Sequence, residues 1–191
     1  MKLPKEFYLR PDVVRIAKEL LGKVLYTKFE GDTSAGIITE TEAYAGETDR
    51  ASHAFGGRRT ARTEIMYAEG GVSYVYLCYG IHHLFNIVTN QKEVPHAVLI
   101  RAVHPVEGVS LILKRRNKSK TDKKLCAGPG TVSQGLGIKT HHNGIKLSGD
   151  EIWIEDKGII ISRSNIIKSP RIGVDYAGAD ALLPYRFEAE F

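Results

Sequence analysis

Between Asp12 and Gly22, apolar residues fall at positions 13, 14, 16, 17, 20 and 21. That is one stripe of a 3.6-residue period. It predicts an amphipathic helix over residues 12–22, with Pro11 just ahead of it and Gly22 as its stop. The period then changes. Residues 23–29 and 35–44 read as strands, separated by a turn at Gly31-Asp32. Residues 45–71 lose periodicity and carry glycine at 46, 56, 57, 70 and 71, which marks a loop region. Residues 72–79 form a β-branched and aromatic run, Gly80 follows, and 83–88 resume the run as the second arm of a hairpin. Residues 97–103 predict a further strand, 105–113 a helix opened by Pro105, and 128–136 a short helix entered from a glycine-rich loop. Residues 151–156 and 158–163 read as a second hairpin, and 171–174 as one more strand. Strands dominate and helices are scattered among them. The absence of a regular strand–helix–strand alternation argues against a doubly wound sheet.

Composition narrows this picture without changing it. A chain of 191 residues favours one domain with a sizeable core. No repeat or linker divides it. No apolar run is long enough to span a membrane, and the first residues lack a signal-peptide core. Cys78 and Cys126 form no CxxC pair, and the simplest expectation is two thiols in a reducing cytoplasm. Charge is unevenly placed. The run KRRNKSKTDKK at 114–124 holds seven Lys/Arg against one Asp, so a chain of net charge +5 is close to neutral elsewhere. Such a block suits a polyanion, nucleic acid first, although taken alone it reads first as a solvated, mobile loop.

The chemical candidates sit at 40–53, ETEAYAGETDRASH. Alternate side chains of a strand share a face, so Glu40, Glu42 and Tyr44 point one way and Thr41 and Ala43 the other. Glu42 then lies near a strand end beside a long loop, where active sites are commonly built, but parity alone favours an exposed strand glutamate on a wet face. In YVYLCYG, Tyr74 and Tyr76 share a face, while Tyr79 abuts Gly80 at the hairpin tip. The residues alone leave two readings of Tyr79 open: a wedge inserted into something else, such as a base stack, or a core-edge tyrosine with a wet hydroxyl. Seven histidines offer neither HExxH nor a cysteine partner at zinc spacing, so no metal is expected. P-loop, GxGxxG and GxSxG motifs are missing, which disfavours nucleotide hydrolysis, dinucleotide binding and serine-esterase chemistry.

Five blocks, in order, carry a resemblance: ITETEAYAGETDRASHAFGGRRTAR, YVYLCYG, the Asn86-Ile-Val run, VLIRAVHP at 98–105 and LCAGPG at 125–130. Together they resemble the alkyladenine (3-methyladenine) DNA glycosylase family, over nearly the whole chain and in its compact bacterial form. The resemblance implies an α+β fold: a single mixed domain with a curved antiparallel sheet, a protruding hairpin and peripheral helices. It implies Glu42 as the catalytic glutamate that deprotonates water, with Arg101 helping to hold that water. Tyr44, His53 and Tyr76 match the aromatic walls of the base pocket. Asn86 matches the asparagine that crowds the purine 2-position, and Tyr79 the tyrosine that fills the gap left by a flipped nucleotide. Residues 81–83 depart from any fixed family pattern.

The implied partner is double-stranded DNA containing damaged purines, with no cofactor, no membrane association, a monomeric enzyme and a cytoplasmic, nucleoid-associated setting. A base inside a duplex must be extruded before it can be cleaved, and a wedge offsets part of that cost. Bond cleavage develops positive charge at C1′, so one placed carboxylate suffices. With no lysine in the site motifs, a monofunctional enzyme is expected. Arg58, Arg59 and Arg62, together with Lys114, Arg115 and Arg116, are candidate backbone contacts, and backbone N–H groups near Gly128 a candidate phosphate site. The alternatives are a hydrolase of free nucleosides or RNA, which needs neither the wedge nor the basic block, and a non-catalytic lesion binder, which needs no placed carboxylate.

Overall fold

The computed structural model describes residues 1–189. In chain order the helices and strands are α1 (Lys5–Tyr8), α2 (Val13–Glu19), β1 (Val24–Phe29), β2 (Asp32–Tyr44), β3 (Ser73–Cys78), β4 (His82–Thr89), β5 (His96–Glu107), α3 (Val109–Arg115), α4 (Pro129–Leu136), β6 (Ile152–Glu155), β7 (Ile166–Ser169) and β8 (Arg186–Ala189). They form a single α+β domain around one sheet of order β3-β4-β5-β2-β1-β6, with β8 joining β2 to β7. Every strand pair is antiparallel.

The 13-residue β2 organises the sheet. Its first half pairs with β1 through Ile37, and its second half, Glu40 to Glu42, pairs with β8 along the same edge. The opposite edge runs along β5, with register shifts at Ala35/Gly36 and on both sides of Glu40. Such bulges bend a strand and increase its twist, which curls the sheet. Side chains of one face go to the core. Thr41 is buried there and donates to the Ala17 carbonyl of α2 at 2.8 Å. Ile16, Leu20, Phe85, Ile100 and Phe187 fill the same cluster. The other face of β2 carries Glu40, Glu42 and Tyr44.

Several sequence expectations need correction. The β1–β2 turn is Glu30-Gly31, both at positive φ, so β2 begins at Asp32 rather than at 35. Pro105 does not open a helix. It stays in β5 opposite Gly36, at the bulge, where a missing ladder donor is tolerated. Gly36 is needed there, because a Cβ would lie 2.6 Å from the Val103 side chain. The helix starts only at Val109, behind Gly108. Of the expected 151–163 hairpin, only β6 forms, and it pairs with β1. The later strand is β7, whose partner is the unforeseen C-terminal β8. Residues 171–174 form a loop against the site, not a strand.

Candidate active site

The hairpin β3–β4 ends in Tyr79 and Gly80, both at positive φ, with Ile81 N donating to the Cys78 carbonyl at 3.2 Å. A positive φ is strained for a tyrosine and is held by the turn. The tip stands clear of the fold: Tyr79 is 92% exposed and Ile81 71%. On the inner side of β3 a cavity of about 430 Å³ opens, walled by Tyr44, His53, Tyr74, Tyr76, Asn86 and Arg101 among others. Residues from β2, β3, β4, β5, the start of α4 and the loops around 53, 62 and 172–176 meet there.

Glu42 lies one layer behind that wall and is fully buried. Three donors converge on its carboxylate. Tyr44 Oη donates to Oε2 at 2.7 Å, the Ile172 backbone N–H to Oε1 at 2.8 Å, and Arg101 Nη1 approaches Oε1 at 3.3 Å. Paired and bonded in this way, a buried charge is tolerable. Arg101 is itself aimed. Its Nε donates to Glu40 Oε1 at 2.8 Å, and Arg186 Nη1 donates to the same oxygen at 2.8 Å. Burial and the adjacent Glu42 push the Tyr44 phenol well above its ordinary range, so it remains a donor.

His53 returns from the loop to the same cavity. Its Nδ1 lies 2.8 Å from Tyr74 Oη, and its ring packs edge-on against Tyr76 at 4.8 Å. Burial, then the charge of Arg62, lower its pKa to about 4, so the ring is neutral near pH 7. Asn86 on β4 is buried, and its Nδ2 donates to the Tyr74 carbonyl at 3.2 Å. The loop that carries His53 is pinned by a buried ion pair. Asp49 accepts from Arg171 Nη1 and, at 2.8 Å, from Nη2. The same guanidinium bonds the Ala43 carbonyl at 2.9 Å and lies 4.8 Å from the Tyr44 ring centre.

Tyr74 and the 172–176 loop escaped the sequence reading. Tyr74 had a usable signal, since it shares a strand face with Tyr76. Ile172 had none, because it contributes a backbone N–H. Of the candidate cations, Arg58 and Arg62 are both exposed, and Arg62 lies along the cavity mouth. Arg59 is held by Glu64 at 2.7 Å and Glu93 at 2.6 Å. Lys114 is exposed, but Arg115 donates to Ser34 Oγ at 3.0 Å and Gly135 O at 3.2 Å, and Arg116 to Leu125 O at 2.9 Å. These two arginines tie α3 to neighbouring chain, and none of the three lines the aromatic cavity. Pro129, at the start of α4, does line it. A larger cavity of about 570 Å³ beside the hairpin is lined by His82, His83, His141 and His142, away from Glu42 and the tyrosines. Among the described residues, no three His, Cys, Asp or Glu side chains converge as a metal-ligand set. Among them, too, no helix is long and apolar enough to cross a membrane.

A model of the methylpurine-DNA glycosylase family matches residues 6–190. The chain belongs to that family. Related proteins agree over nearly full length. A Chlamydia felis protein is 47% identical over 186 residues, covering 97% of this chain and 94% of its own. One from Clostridium perfringens strain 13 is 44% identical over 185 residues, covering 93% and 90%. One from Bacillus cytotoxicus is 43% identical over 195 residues, covering 98% and 95%. All three are provisionally named 3-methyladenine DNA glycosylases. Membership makes this chain a DNA glycosylase, a hydrolase of N-glycosidic bonds acting in base excision repair. The glycosylase thus presents a buried carboxylate with two hydrogen-bond donors and an ion-paired arginine, an aromatic cavity over it, and an exposed tyrosine at the cavity's edge.

Proposed function

We propose that the protein flips alkylated or deaminated purines out of duplex DNA and releases them by water attack, with Glu42 as general base. The observation that carries this reading is the Glu42 carboxylate, buried behind an aromatic cavity that opens next to the exposed Tyr79. Tyr79 enters the duplex and fills the space of the extruded nucleotide, which offsets part of the unstacking cost. The purine stacks between Tyr44, Tyr76 and His53, a contribution of about 1–3 kcal/mol for a base on an aromatic ring. Asn86, fixed against the Tyr74 carbonyl, crowds one edge of the base.

Water bonds to C1′ as the C1′–N bond breaks. The bonding pair stays on the purine, and the proton of the water passes to Glu42. Positive charge developing at the sugar faces the same carboxylate. A purine made cationic by methylation of a ring nitrogen is neutralised by the pair it receives and needs no acid, whereas a neutral purine such as hypoxanthine leaves as an anion that water protonates. Arg101, held between Glu40 and Glu42, positions the water. Arg58 and Lys114, both exposed, serve as phosphate contacts. The enzyme acts as a monomer lying along the duplex, and its setting is the nucleoid-containing cytoplasm.

The test is release of methylated purine, hypoxanthine or ethenoadenine from a duplex, with the same lesions supplied as free nucleosides and in single-stranded RNA. Release confined to the duplex is expected. Equal release from nucleosides would favour an enzyme that needs no wedge.

A further inference from the structure

Arg62 is exposed at the cavity mouth, with its head group folded over two of the aromatic walls. Its guanidinium lies 4.6 Å from the Tyr76 ring centre, and its Nη2 is 2.9 Å from His53 Nε2. The same Nη2 is 3.3 Å from His53 Nδ1, which also lies 2.8 Å from Tyr74 Oη. Tyr76 and His53 are two of the walls that would hold an extruded base. A flat cation stacked on one and bonded to the other makes the interactions that an electron-poor purine would make. Arg59, three residues earlier, is locked by two carboxylates. Among the described residues no carboxylate forms an ion pair with Arg62, and its held position depends on the two rings.

We propose that Arg62 is a placeholder for the base and a selectivity residue: it occupies the stacking slot in the free enzyme, and a purine enters only by displacing it. The inference rests on the reading of Tyr76 and His53 as walls of the base slot. Displacement discriminates by charge. A neutral purine forfeits the cation–π contact when it ejects the guanidinium. A purine made cationic by alkylation restores that contact with its own charge. Unmodified bases sampled during search thus meet an occupied slot, and cationic lesions exchange with its occupant on better terms.

The experiment compares wild type, Arg62→Ala and Arg62→Lys on duplexes carrying 7-methylguanine, which is cationic, or hypoxanthine, which is neutral. Single-turnover efficiency is read at subsaturating enzyme. In Arg62→Ala the ratio should shift toward hypoxanthine by about tenfold, within the range of one cation–π contact, and Arg62→Lys should lie between. Equal loss on both substrates would overturn the proposal and make Arg62 a phosphate contact. A shift toward 7-methylguanine would overturn it as well. The second readout needs no substrate. In the free protein, the His53 ring signals should titrate at higher pH in Arg62→Ala than in wild type, and an unchanged titration would remove the guanidinium from the slot. Release of neither base by wild type would contradict the functional reading itself, and the His53 titration would still decide whether Arg62 fills the cavity.

Discussion

Glu40 and Glu42 sit two residues apart on one strand face, yet their partners give them different work. Glu40 accepts from Arg101 and Arg186, both at its Oε1, and so holds the arginines. Glu42 accepts from a phenol and a backbone N–H beside Arg101, with Tyr44 and Ile172 lining the cavity. Strand parity placed both acids and Tyr44 on the right face from sequence alone. It could not separate their roles, because that depends on a bulge, on β8 and on a loop 130 positions away. Asp49 shows the same limit. Its partner Arg171 is distant in the chain, and the buried pair holds the loop. The phenol of Tyr44 gives a direct check. Tyr44→Phe keeps the ring and removes one donor to the carboxylate. A net hydrogen bond to a charged group is worth about 1.5–3 kcal/mol, so the single-turnover rate should fall by roughly ten- to a hundredfold. Lesion binding, measured with a non-cleavable analogue, should change far less.

The β3–β4 hairpin was legible because its arms alternate and its tip carries Tyr-Gly. What the sequence left open was whether Tyr79 belonged to the core, and its exposure answers that. Tyr79→Ala should therefore leave the urea unfolding midpoint within error, since no core contact is lost. Processing of a duplex lesion at subsaturating enzyme should drop, and unaltered processing would remove Tyr79 from the flipping step. Elsewhere, local rules misled. Pro105 carries the signature of a first helical residue, but pairing with β2 kept the chain extended until Gly108. β7 and β8 are four residues each, too short to show a period, and they exist because they pair with each other and with β2. The basic block read as one patch, whereas Arg115 and Arg116 are drawn to carbonyl oxygens of neighbouring chain while Lys114 remains exposed.

Across the whole molecule, two neutral histidines make stability depend on pH. Burial is the first cause that lowers His53 and His142 to about 4, from an ordinary 6.5. A histidine depressed in the folded state takes up its proton in the unfolded chain first. Stability from this source is therefore complete above pH 6.5 and is lost as pH falls from about 6.5 toward 4. The thermal midpoint should decline over that window, and less steeply in His53→Gln. A midpoint flat between pH 7 and 5 would contradict the burial of both rings.

On the proposed mechanism one buried carboxylate, placed by the fold behind an aromatic slot, performs the hydrolysis. Its most direct test is single-turnover release of a methylated purine from duplex DNA by wild type and by Glu42→Gln, with binding of the same duplex measured in parallel. Glutamine keeps the size and loses the base. The expected result is undiminished lesion binding with release reduced by at least about a hundredfold, within the range for a lost general base. Equal release by the two proteins would contradict it.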